Sequence, residues 1–148
     1  MISEIIKEKT SADHLLYVSL KYTKTCDVIL NLLARWKSMI EISFDALIAH
    51  FVEIGKIPNR PDSPKQKIEF MRMYFKKYPE IQEAVPVYIF FKRVPELSKT
   101  REGEFRKNVN LKVSEAVGKV TDINMEKLKE YSEVLERFIS QVKYLLSK

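Results

Sequence analysis

The chain has 148 residues, 45% hydrophobic and 31% charged, which suits one globular domain built on one core. No apolar run approaches the roughly 18 residues that span a bilayer, the start carries no secretory apolar segment, and the single cysteine rules out an internal disulfide or a multi-cysteine zinc site. The net charge of +6 is uneven: Met1–Gly55 balances at −1, Lys56–Lys112 at +7 and Val113–Lys148 at 0. A cytoplasmic protein without a cofactor is expected, and its middle third would attract a phosphate backbone or an acidic protein surface.

Met1–Thr10 alternates charge with aliphatics and is expected as a short helical lead or a frayed arm. Ser11 and Asp13 suit the N-cap and first turn of a helix. Apolar residues then recur at Leu15, Tyr22, Cys26, Ile29, Leu33, Trp36, Ile40, Phe44, Leu47 and Phe51. Those spacings are the period of a helix buried along one stripe, which makes Cys26 a small core residue. No Gly or Pro interrupts the pattern before Gly55 and Pro58. One rod over Ser11–Val52 would be about 60 Å long at 1.5 Å per residue, against a diameter of about 40 Å for a compact chain of this size. A break near Lys37–Ser43, with Ser38 and Ser43 available as caps, would give an antiparallel hairpin. The alternative is a continuous rod paired with a second copy.

Gly55 suits the position just past a helix end, and Pro58 and Pro61 mark the loop that follows. Ser63 and Pro64 then have the order of an N-cap and a first helical residue. This helix carries Ile68, Phe70, Met71, Met73, Tyr74 and Phe75, with Lys65, Lys67, Arg72, Lys76 and Lys77 on its other face. Pro79 begins another, which Pro86 either kinks or restarts. The apolar block Val85–Phe91 is expected to be fully buried.

Val109, Leu111 and Val113 alternate, and Val120 and Ile123 follow a turn at Glu115–Gly118, so a short β-hairpin is predicted. Asp122 or Asn124 would cap the last helix, whose seam is Leu128, Tyr131, Leu135, Phe138, Val142 and Leu145. The expected fold class is all-α: one domain over residues 1–148, a bundle of four or five principal helices with a short hairpin before the last. Long amphipathic helices with surplus aromatics leave apolar stripes, so a homodimer is expected.

Little in the chain carries chemistry. Its glycines, at 55, 103 and 118, form no phosphate loop. His14 and His50 would approach each other if the first two predicted helices are antiparallel, but a metal would need a third ligand such as Asp13 or Glu53, and no metal site is expected. Glu102 and Glu104 read as a solvated loop pair rather than a catalytic dyad. The most promising stretch is Lys92–Lys112. There Lys92, Arg93, Lys99, Arg101, Arg106, Lys107 and Lys112 gather charge, and Asn108 and Asn110 add amides suited to a ribose or base edge. The expected function is a non-catalytic binding module for RNA or an acidic protein partner.

The element order is similar to that of the HEPN superfamily of helical-bundle domains. Two long helices come first, the second ending in Phe44-Asp45-Ala46-Leu47-Ile48-Ala49-His50-Phe51-Val52-Glu53-Ile54-Gly55, and a basic turn precedes the last long helix. The resemblance is one of pattern over most of Ser11–Lys148. It implies homodimers and RNA binding or cleavage, with a signature of Arg, a polar residue, several variable positions and His. Arg106 with Lys107 or Asn108 matches its front, but no His follows His50, so the proton carrier of the usual nuclease chemistry is missing. The resemblance therefore implies an inactive binding or structural member, or an unconventional ribonuclease in which Arg106 stabilises phosphate charge. A purely structural oligomerisation domain is the third reading.

Overall fold

The computed structural model describes residues 2–148. Helix α1 (Ile2–His14) runs into a π-helical turn at Leu15–Ser19 and a last helical turn, α2 (Leu20–Tyr22). Helix α3 (Cys26–Glu53) is followed by α4 (Pro64–Tyr74), α5 (Pro79–Arg93) and a 3-10 turn at Val94–Glu96. Strands β1 (Ser98–Glu102), β2 (Asn110–Ala116) and β3 (Lys119–Asn124) precede the final helix α6 (Met125–Leu146). The molecule is thus a helical bundle carrying a three-stranded antiparallel sheet in the order β1-β2-β3. That is more than an all-α bundle with one hairpin.

The expected break at Lys37–Ser43 is absent. Ser43 lies buried inside α3, its hydroxyl donating to the Met39 carbonyl at 2.7 Å, so it serves the helix rather than ending it. The chain breaks instead at Thr23–Thr25. Thr23 and Thr25 are extended, and the Thr25 hydroxyl accepts the Val28 N–H at 3.3 Å as the N-cap of α3. The antiparallel hairpin exists, but its first arm is α1, which takes in most of the stretch expected as a short helical lead or a frayed arm. Ile5 and Ala12 of α1 are buried, and Lys9 bridges Asp13 at 2.8 Å and Glu136 of α6 at 2.7 Å. At 1.5 Å per residue α3 is about 42 Å long, the full width of the domain.

Helix α3 is the axis of the core. Leu32, Leu33, Trp36, Met39, Ile40, Phe44, Leu47 and Ile48 are all buried, and α1, α5 and α6 pack around them. Trp36 stacks on Phe91 with centroids 5.9 Å apart, and Phe44 meets Tyr88 and Phe138 edge-on at 5.3 and 5.8 Å. The block Val85–Phe91 is not buried all round. Val85, Tyr88 and Phe91 face the core, Val87, Ile89 and Phe90 are half-buried, and Pro86 is exposed inside an unbroken helix. The predicted caps at Ser63 and Asn124 are in place, accepting the N–H groups of Gln66 and Lys127 at 3.1 and 2.8 Å.

The sheet lays Leu111, Val113 and Ile123 on the bundle, with β3 against α6 and β2 reaching α3. Strand β1 contains no apolar residue. It pairs Lys99 with Val113 and Arg101 with Leu111, so two long cationic side chains stand across from the residues that β2 buries.

Candidate functional site

Two segments far apart in the sequence meet at the N-terminal end of α3. The first is Lys21–Thr25, between α2 and α3; the second is the β1–β2 loop, Gly103–Val109. The Phe105 N–H donates to the Lys24 carbonyl at 2.6 Å, and both Glu104 carboxylate oxygens lie 3.3 Å from the Cys26 N–H. Arg101 adds a 2.7 Å ion pair to Asp27, with Glu104 at 3.6 Å, and the Asp27 carboxylate raises the guanidinium pKa above its ordinary value. These contacts fix the loop on the helix. Within the loop the Arg106 N–H reaches the Gly103 carbonyl and the Val109 N–H reaches that of Arg106, each at 3.0 Å, giving two successive turns.

What this corner presents to solvent is cationic and aromatic. Lys21, Lys24, Arg106 and Lys107 take part in no ion pair among the described residues. The nearby carboxylates, Asp27 and Glu104, are already engaged with Arg101 and the Cys26 amide. Two aromatic rings stand among those cations: Tyr22 is 77% exposed and Phe105 76% exposed. The Lys21 ammonium lies 5.8 Å from the centre of the Tyr22 ring.

The residues singled out from sequence do not form one cluster. Lys92 is exposed at the end of α5, while Arg93 pairs with Glu115 at 3.8 Å. Both precede the 3-10 turn that leads into β1, whose five residues put about 17 Å of strand between that turn and the β1–β2 loop. Lys99 is a structural cap: its ammonium donates to the carbonyls of Val94, Pro95 and Leu97 at 2.9, 3.3 and 2.8 Å. Asn110 donates to Glu102 at 3.2 Å and Asp122 at 3.0 Å, and Lys112 lies 3.6 Å from Glu102, so both are tied into the outer face of the sheet. Asn108 is exposed, with its carbonyl and amide oxygens over Gly103. Of the stretch, Arg106, Lys107 and Asn108 face solvent at the corner, with Arg101 anchoring it.

The helical period puts Tyr22 on the buried stripe and assigns no role to Lys21, Lys24 or Phe105. The π-helical turn takes one more residue than an α-helical turn, and α2 ends at Tyr22, so that ring lies beyond the helix–helix contact. The pattern Lys-Tyr-Thr-Lys at 21–24 was the available signal, masked by its fit to a helical period.

No imidazole reaches the corner. His14 shares a surface pocket with Asn31, Ala34 and Arg35, and His50 lies about 36 Å along α3 from Cys26. His50 lines a different pocket with Ile2, Glu53, Arg60 and Leu146, so the two histidines do not meet. No cluster of three or more His, Cys, Asp or Glu suited to a metal occurs among the described residues. Cys26 is buried under the loop with its thiol donating to the Asn110 carbonyl at 3.4 Å. Burial, then Glu104, pushes that thiol up to about 11, so it stays protonated and unreactive near neutral pH. No helix among the described residues is long and apolar enough to cross a membrane. No family model, curated protein or solved structure matches the chain.

Proposed function

We propose that this chain is a non-catalytic RNA-binding module that holds the phosphate backbone at the corner between the α2–α3 segment and the β1–β2 loop. One observation carries this reading: Lys21, Lys24, Arg106 and Lys107 gather there without carboxylate partners, while the acids beside them are consumed in fixing the loop. Arg106 supplies a planar fork for phosphate oxygens and the lysines supply point charges, that of Lys24 while donating to the Lys21 carbonyl at 2.6 Å. The HEPN-like reading fits a binding member better than a nuclease, because the usual general acid–base cleavage relies on an imidazole within hydrogen-bond reach, and the carboxylates at the corner, Asp27 and Glu104, are engaged with Arg101 and the Cys26 amide.

Fluorescence anisotropy with a labelled RNA tests this. Four phosphate contacts predict a slope of about −3 in log affinity against log salt. Replacing both Arg106 and Lys107 by Ala should roughly halve that slope. Absence of RNA binding at 50 mM salt would end the proposal, and cleavage of a purified RNA that disappears in Arg106→Ala would replace it with the nuclease reading.

A further inference from the structure

We infer that the corner is built for single-stranded polynucleotide, with Tyr22 and Phe105 as stacking platforms for two bases while the four cations follow the backbone. The inference rests on the RNA reading above and deepens it. Its starting point is conformational. Phe105 has φ +67°, the only residue other than glycine in the left-handed region among those described. That region is unfavourable for a bulky side chain, and glycine would occupy it freely. Folding gains little from the ring, which is 76% exposed. An aromatic held in an unfavourable backbone state and left in water is a feature that binding explains and packing does not.

The loop is held firmly enough to aim that ring. The Phe105 amide is fixed to Lys24, the preceding Glu104 to Cys26, and the following Arg106 amide to Gly103. Tyr22, two residues before Lys24, is carried by the same junction. Standard chain dimensions put the Tyr22 and Phe105 Cα atoms no more than roughly 14 Å apart, at most about four stacking steps of 3.4 Å. Exposed rings alternating with cations are how proteins hold single strands, since each base offers a ring face only when it is not enclosed in a duplex. A rigid duplex would meet the charges but not the rings. The immediate neighbours of the two rings, Lys21, Thr23, Glu104 and Arg106, are polar or charged. Such a surface suits hydrogen-bonding nucleotides rather than acyl chains.

The test compares four probes at fixed salt: an unstructured 12-nucleotide RNA, the DNA of the same sequence, a 12-base-pair RNA duplex, and phosphatidylserine-containing vesicles. The single strands should bind at least about tenfold more tightly than the duplex. Phe105→Gly and Tyr22→Ala should each weaken single-strand binding by about 5- to 100-fold with duplex binding unchanged, and Phe105→Tyr should retain it. The melting temperature of Phe105→Gly should equal or exceed that of the wild type, which separates lost binding from lost folding. RNA favoured over DNA would add a 2′-hydroxyl contact; equal affinity would leave stacking as the whole of the recognition, and both outcomes support the inference. Equal binding of strand and duplex, or single-strand binding indifferent to both ring variants, would overturn it while leaving the phosphate-binding proposal standing. Failure to bind any nucleic acid would end both. Vesicle binding lost in the ring variants, without nucleic-acid binding, would give the corner to a membrane surface instead.

Discussion

Glu104, in the loop between β1 and β2, accepts the backbone N–H of Cys26 with both carboxylate oxygens at 3.3 Å, so a residue 78 positions later in the chain caps the start of α3. The carboxylate serves an amide left free by the helix end and favours the positive end of the helix dipole. It shares the task with the Thr25 hydroxyl. Glu104→Ala should cost about 1 kcal/mol, read as a lower urea midpoint. RNA affinity should fall with it, because the loop carrying Phe105 and Arg106 loses an anchor.

Cys26 gives the molecule an alkaline limit. Its thiol, ordinarily near 9.0, is held at about 11 in the folded state, first by burial and then by Glu104. Between those values the unfolded chain has released the proton and the folded chain has kept it. Fewer protons bound in the unfolded state means stability falls as pH rises through this window. The stabilisation present below pH 9 should decline by up to about 2–3 kcal/mol by pH 11. Denaturation midpoints across pH 8–11, compared with those of Cys26→Ala, isolate this contribution, since the variant should lack that part of the decline.

Gly103 cannot carry a side chain. Its φ is +63°, and a Cβ there would sit 2.7 Å from the Asn108 carbonyl oxygen and 2.9 Å from its carbon. Backbone cannot yield as a side-chain tip can. Gly103→Ala should therefore cost about 2–3 kcal/mol through the left-handed conformation and the contact together. Hydrogen exchange at the Phe105 and Arg106 amides should accelerate in the variant.

Lys99 and Arg106 should separate stability from binding. Lys99 spends its ammonium on three carbonyls at the end of the 3-10 turn, so Lys99→Met should lower stability by about 1 kcal/mol and leave RNA affinity within about twofold. Arg106 is exposed with no ion-pair partner among the described residues, so Arg106→Ala should leave the melting curve unchanged and weaken RNA binding. Thermal melts and anisotropy on both variants read the two effects.

Much of the helical frame was legible in the residues because periodicity and caps act locally. Ser63–Pro64, Asn124 and the α6 seam follow from side chains a few positions apart. The break in the first long pattern was not legible. Ser43 and Thr25 offer similar hydroxyls, and only packing decides that one stays within the helix and the other ends it. Strand β1 escaped notice because its residues Ser98–Glu102 carry no alternation of apolar and polar; its pairing is dictated by β2. The candidate site was half legible. Charge density pointed to the β1–β2 loop, but ion pairing ties Arg93 and Lys112 to the sheet and spends Arg101 on anchoring the loop, and the second contributor, Lys21–Lys24, joins only through tertiary contact.

That tertiary contact has a consequence for when the surface exists. Closing a loop of some eighty residues carries an entropic cost before any contact offsets it, so the docking of Glu104 on Cys26 should come late in folding. A nascent chain still short of residue 105 would hold Tyr22 and its lysines without their counterpart. On the proposed function, tight engagement of a strand would have to wait until the β1–β2 loop has been made and has docked on the start of α3.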